Sequence, residues 1–155
     1  MQDAFHLIAR AQADYVRCID DGDLGKWPDF FIDECIYKVT TAENYKRGLE
    51  ASLIYAASRG MLVDRVASLR DANIYERHAY RHLLGQPYIV SEENDVVRSE
   101  TSFMIVRIMR DGTTNLFVTG RYLDLYVRNR DSVRLSERVA VCDSSRIDTL
   151  LALPL

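Results

Sequence analysis

Two hydrophobic rhythms divide this chain. Ala4, Ile8, Ala11, Tyr15, Cys18 and Ile19 recur at helical spacing, and Gly22 follows where a helix C-cap belongs. Asp23 is placed to cap a short second helix carrying Leu24, Trp27, Phe30 and Phe31, which Pro28 keeps short. The β-branched and aromatic run Cys35–Thr41 predicts a first strand, with a shorter one at Leu53–Tyr55. Leu62, Val66 and Leu69 return to helical spacing. After Arg81 the pattern alternates with period two. It predicts strands over Arg81–Val90, Val97–Met109, Asn115–Val127 and Val133–Cys142, with turns at Ser91–Asp95, Asp111–Gly112 and Arg128–Asp131. In the last strand Val133, Leu135, Val139 and Val141 are expected on one face, with Arg134, Ser136 and Arg138 on the other. Gly120 falls mid-strand, a usual mark of a kink or bulge. Helices first and a long antiparallel meander afterwards predict an α+β fold, a bent sheet wrapped over its helices like a cone.

The length of 155 residues fits a single domain, 1–155. No 18-residue apolar run is present, so no membrane span is expected, and the start of the chain has no signal-peptide pattern. A net charge of −3 without a basic stripe argues against a nucleic-acid partner. Cys18, Cys35 and Cys142 form no C-x-x-C pair and read as buried thiols of a cytoplasmic protein. Apart from Lys26, Lys38 and Lys46 the basic residues are all arginine, which suits contacts between subunits as well as it reflects a GC-rich genome.

The stretch Asn73–His82, "NIYERHAYRH", is the strongest candidate for chemistry. For His78 and His82 to share a metal they must lie on one helix face, roughly 6 Å apart. Ile74, Tyr75 and Tyr80 favour extended backbone, where the same spacing is about 13 Å. Glu76 precedes both histidines and is misplaced for H-E-x-x-H. A metal site is therefore not expected. Asp64, Glu76, Asp124 and Glu137 are the carboxylates placed for acid/base work in a dry pocket. Each has an arginine beside it in sequence, at Arg65, Arg77, Arg121 and Arg138, and structural pairing is the favoured reading. No glycine-rich phosphate loop or nucleophile elbow occurs.

"NIYERHAYRHLLGQP", the meander, and "RLSERVAVCDSSRIDTLLALPL" together resemble the small (beta) subunits of Rieske-type aromatic-ring-hydroxylating dioxygenases. The resemblance runs through "DLGKWPDFF" and "MLVDRVASLR" and is strongest toward subunits of aromatic-acid oxygenases of the terephthalate type. It implies a cone-shaped fold similar to nuclear transport factor 2, with N-terminal helices on a strongly curved antiparallel or mixed sheet. It also implies a non-catalytic subunit of an α3β3 hexamer with a contact among the beta subunits, served indirectly by a reductase. The large subunit would carry the Rieske [2Fe–2S] cluster and the mononuclear Fe(II) and would cis-dihydroxylate an aromatic carboxylic acid. In keeping with that, the chain lacks C-x-H…C-x-x-H and any defensible 2-His-1-carboxylate set, and no catalytic, cofactor or metal residue is expected. The alternatives are a stand-alone cone-fold isomerase or dehydratase and a small-ligand binding module.

Under this reading "NIYERHAYRH" is a polar corner that meets a neighbouring subunit through Tyr75, Arg77, Arg81 and His82. The tail Thr149–Leu155, read as the chain's terminus, is apolar and asks for a cover. Leu150, Leu151, Leu153 and Leu155 are accordingly expected between subunits, the alternative being that the tail folds back on its own domain.

Overall fold

A computed structural model describes residues 2–71, 78–147 and 153–155. Helix α1 (Ala4–Asp20) begins where the Asp3 carboxylate accepts from the His6 amide. It ends with Gly22 at φ +77°, where the Asp23 amide reaches back to the Cys18 carbonyl at 2.9 Å. The second helix is a 3₁₀ turn over Leu24–Phe30. Asp23 does not cap it, and its carboxylate pairs with Lys26 at 3.1 Å instead. Trp27 and Pro28 are buried, so the turn is held by packing.

Strand β1 spans Phe31–Thr41 and leads into a short helix α2 (Ala42–Lys46) capped by Thr41. Strand β2 (Ile54–Ala56) pairs antiparallel with β1, and helix α3 spans Arg59–Asp71. The expected strand over Arg81–Val90 is instead two, β3 (His78–Leu84) and β4 (Tyr88–Glu93). They are parted by Gly85-Gln86-Pro87, and both pair antiparallel with β5 (Val96–Met109). Pro87 has no amide to give a ladder. Strands β6 (Thr114–Asn129) and β7 (Ser132–Cys142) complete the meander. Positive φ at Asn94 and Asp95, at Gly112 and at Arg130 makes the three turns.

The seven strands form one sheet in the order β2-β1-β7-β6-β5-β3, with β4 also on β5. Only the β1–β7 pairing among these is parallel, which makes the sheet mixed. Ile8, Tyr15 and Ile19 of α1 and Leu62 and Val66 of α3 join Trp27, Phe31, Tyr37, Phe103 and Tyr122 in the core on the inner face.

Two local features set which side chains enter that core. At Ser136 β7 carries one more residue than β6, between the pairs Leu125–Glu137 and Tyr126–Leu135. The bulge switches parity. Leu135 faces inward before it, and Arg138, Ala140 and Cys142 face inward after it. The expected faces of the last strand are thus corrected: Arg138 is inside and Val139 is outside. At Gly120 the need is close approach. A Cβ there would lie 2.2 Å from the Val141 carbonyl oxygen and 2.8 Å from Phe103 Cζ. The bulge expected near Gly120 falls at Phe117, between the pairs Ile105–Val118 and Val106–Leu116.

Candidate functional site

His78, Tyr80 and His82 share one face of β3. The Tyr80 ring stands between the two imidazoles, 5.2 Å from His78 and 6.0 Å from His82 by ring centroid, and stacks on Phe117. The histidines therefore flank an aromatic wedge. His82 belongs to a second, intramolecular arrangement. Its Nδ1 lies 2.6 Å from Asp20 Oδ1, and its amide donates to Asp20 Oδ2 at 2.9 Å. Both side chains are sealed from solvent, and Nε2 has no hydrogen-bond partner among the described residues. The last residue of α1 thus clips the β3 edge to the helix. Among the described residues no group of three or more His, Cys, Asp or Glu could hold a metal ion.

The second polar cluster lies inside the cone. Asp124 and Arg138 face each other across β6 and β7, with Nε–Oδ1 at 2.9 Å and Nη2–Oδ2 at 2.8 Å. Arg138 also donates to the Tyr126 hydroxyl at 3.2 Å. Its guanidinium lies between two rings, 3.9 Å from the Tyr122 centroid and 4.2 Å from that of Tyr15. Beside them Gln12 and Thr101 share a 2.9 Å hydrogen bond. Burial pushes the Asp124 carboxyl above its ordinary value, and the Arg138 charge and hydrogen bonds limit that rise. Burial also works against the Arg138 cation, but Asp124 and Tyr126 outweigh it and hold the guanidinium charged. With both carboxylate oxygens forked onto arginine and no solvent contact, Asp124 is not free to take a proton from a substrate.

The aromatic polar groups beside this cluster are satisfied from within the chain. Trp27 Nε1 donates to the Tyr15 hydroxyl at 3.0 Å, and that hydroxyl donates to the Leu155 carbonyl at 2.8 Å. The Leu155 amide donates to the Tyr37 hydroxyl at 3.0 Å. Burial raises the Tyr15 and Tyr37 hydroxyls above their ordinary values, so both keep their protons.

Pairing with arginine holds for Asp124, but the partner is Arg138 across the sheet, and Arg121 is exposed. Asp64 is exposed and Glu137 half-buried, while Glu76 lies outside the described residues. Of the expected subunit contacts, Arg81 is exposed on the outer side of β3. His82 is buried in its own fold by the Asp20 clip. Leu153 and Leu155 are both buried in this chain's core. Tyr75, Arg77, Leu150 and Leu151 lie outside the described residues. Burial pushes the Cys142 thiol up to about 12, and burial and then Asp23 push Cys18 up to about 11, so neither is a ready thiolate. Tyr122, Tyr126 and Gln12 were not singled out from the sequence, and Tyr15 was placed only on the apolar stripe of the first helix. The inward alternation Val118, Gly120, Tyr122, Asp124, Tyr126 was the signal that a carboxylate sat on a buried face.

A groove of about 420 Å³ runs between α1 and the β3–β4 connection. Phe5, Ala9, Val16, Leu84 and Pro87 make it mostly apolar.

The SnoaL-like domain family matches residues 4–139. The beta 1 subunit of the terminal oxygenase component of terephthalate 1,2-dioxygenase from a Comamonas species is 47% identical over 148 residues, covering 96% of each chain. The anthranilate 1,2-dioxygenase small subunit of Burkholderia cepacia is 35% identical, covering 96% of this chain and 92% of that one. Among solved structures, a beta subunit assigned to an aromatic-ring-hydroxylating dioxygenase of Novosphingobium aromaticivorans superposes with a TM-score of 0.90 at 40% identity, covering 98% and 97% of the two chains.

Proposed function

Given that the chain belongs to the SnoaL-like family and, within it, to the beta subunits of aromatic-ring-hydroxylating dioxygenases, we propose that it is the non-catalytic small subunit of an oxygenase acting on an aromatic carboxylic acid of the terephthalate type. The observation that carries the reading is the end-to-end match with a terminal-oxygenase beta subunit at nearly half identity. The interior supports the non-catalytic part. The inward carboxylate is locked to Arg138, whose guanidinium lies on the Tyr15 ring, and the Tyr15 hydroxyl is taken up by the Leu155 carbonyl.

One domain over 1–155 pairs with a large subunit in a cytoplasmic α3β3 hexamer, with contacts among the three small subunits. The Rieske [2Fe–2S] cluster and mononuclear Fe(II) belong to that large subunit, which receives electrons through a reductase. The described residues of this chain do not fit either group. Its cysteines are solitary, and among the described residues no donor set converges. Its contribution is to hold the large subunits in register, and no helix among the described residues is long and apolar enough to cross a membrane.

Co-expression with the cognate large subunit and sizing of the product tests the proposal. The expected result is a single assembly with equal numbers of each chain, a mass of three pairs, and terephthalate turnover that needs the large subunit. A chain that stays apart from the large subunit, or turns over the acid alone, overturns it.

A further inference from the structure

The groove between α1 and the β3–β4 connection holds one polar group that the fold leaves unsatisfied. Three polar side chains line it, those of Gln12, His82 and Gln86. Gln12 is already engaged: its amide nitrogen donates to Thr101 Oγ1 at 2.9 Å, and its carbonyl oxygen accepts from the same hydroxyl at 3.2 Å. Gln86 is exposed, where water satisfies it. His82 differs from both. Asp20 takes its Nδ1, and its Nε2 is buried without a partner among the described residues. A buried nitrogen left unmatched in a folded protein asks for a reason, and here an apolar groove lies beside it.

Asp20 also decides what that nitrogen can recognise. The carboxylate accepts from the His82 amide through Oδ2 and meets Nδ1 through Oδ1 at 2.6 Å, so Nδ1 carries a hydrogen. The neutral ring then presents a lone pair at Nε2 and accepts a hydrogen bond there. A charged ring would balance the Asp20 carboxylate, and a carboxylate ligand would add a third, unbalanced charge. Among the described residues no arginine or lysine lines the groove to offset it. The complement is therefore an uncharged donor on an apolar body. A phenol hydroxyl is a stronger donor than an aliphatic one, and its ring suits walls made by Phe5, Val16, Leu84 and Pro87. The volume of about 420 Å³ is in the range of small-molecule sites, and Ala9 and Ala13 of α1 keep it open.

We propose that this groove binds a small uncharged phenol whose hydroxyl donates to His82 Nε2. Gln86, exposed and outside both β3 and β4, is the part of the wall that moves aside to let the hydroxyl reach the buried nitrogen. The site is built within one chain and does not rest on the large-subunit reading.

Nuclear magnetic resonance of the isotope-labelled, isolated full-length chain tests it, with para-cresol as the probe over a millimolar series. Para-cresol is expected to shift the His82 ring nitrogens and the amides of Ala9 and Gly85 saturably. Its methyl ether, which has no hydrogen to donate, should bind on the order of tenfold more weakly, and so should para-toluate, which carries a charge. Ala13→Leu fills the groove from an exposed helix position and should abolish the shifts with circular dichroism unchanged. The comparison of the three ligands on the wild type stands without that variant. Shifts that never saturate, a methyl ether or toluate that binds as well as the cresol, or an Ala13→Leu chain that still binds would each overturn the proposal.

Discussion

At the scale of single residues the decisive contact is the buried fork between Asp124 and Arg138. A pair removed from water gains little over apolar packing, yet removing one member strands the other's charge. Asp124→Asn should therefore cost about 3–5 kcal/mol of unfolding free energy. Replacing both, as Asp124→Leu with Arg138→Met, should cost less than either single change. Urea titration followed by circular dichroism of the three variants measures the difference. If Asp124→Asn is near-neutral, the guanidinium is held by the Tyr15 and Tyr122 rings alone. The sequence revealed only half of this contact. Asp124 stands among inward aromatic positions and could be suspected, but its nearest arginine in sequence, Arg121, points to water. Arg138 reaches it through a pairing that becomes visible only once β6 and β7 are in register.

At the scale of elements, the period-two alternation was strong enough to place β5, β6 and β7 to within a few residues. Turn chemistry was equally plain, because Asn94-Asp95 and Gly112 need positive φ. The parity of β7 was not legible. A bulge adds one residue without altering the local alternation, so Ser136 gives no sign in sequence that Arg138 turns inward. The break between β3 and β4 falls at Gly85-Gln86-Pro87, inside what the alternation predicted as one strand, and nothing local says that both halves pair with the same strand. Gly120 has a sharper consequence. Its missing Cβ leaves room for the Val141 carbonyl, which is backbone and cannot yield, and for the Phe103 ring stacked on Tyr122 at 4.5 Å. Gly120→Ala should thus destabilise by about 1–3 kcal/mol, the usual cost of overpacking. It should also disturb the near-ultraviolet circular dichroism of the aromatic core. An unchanged melting temperature would mean that β6 and β7 can separate at this point without loss.

At the scale of the whole molecule, the apolar tail shows how the cone is closed. Composition alone said that leucines near position 155 needed a cover and left open whether the cover was another subunit or the chain itself. For Leu153 and Leu155 the answer is the chain itself, for a reason of polarity as much as of area. Tyr15, Tyr37 and Trp27 bring two hydroxyls and an indole N–H into a dry core, where each needs a partner. The main chain of Leu155 provides an acceptor for Tyr15 and a donor for Tyr37, while its side chain completes the packing around them. Leu155→Ala keeps those backbone groups and removes only the side chain, so it isolates the packing contribution. The expected loss is about 2–5 kcal/mol, as for other buried leucines. The loss should appear in the isolated small subunit, with assembly onto the large subunit unchanged for the fraction that is folded. Thermal unfolding of the isolated variant, together with sizing of the co-expressed pair, separates the two effects. A variant with wild-type stability that fails to assemble would return Leu155 to a subunit interface and contradict its place in the core.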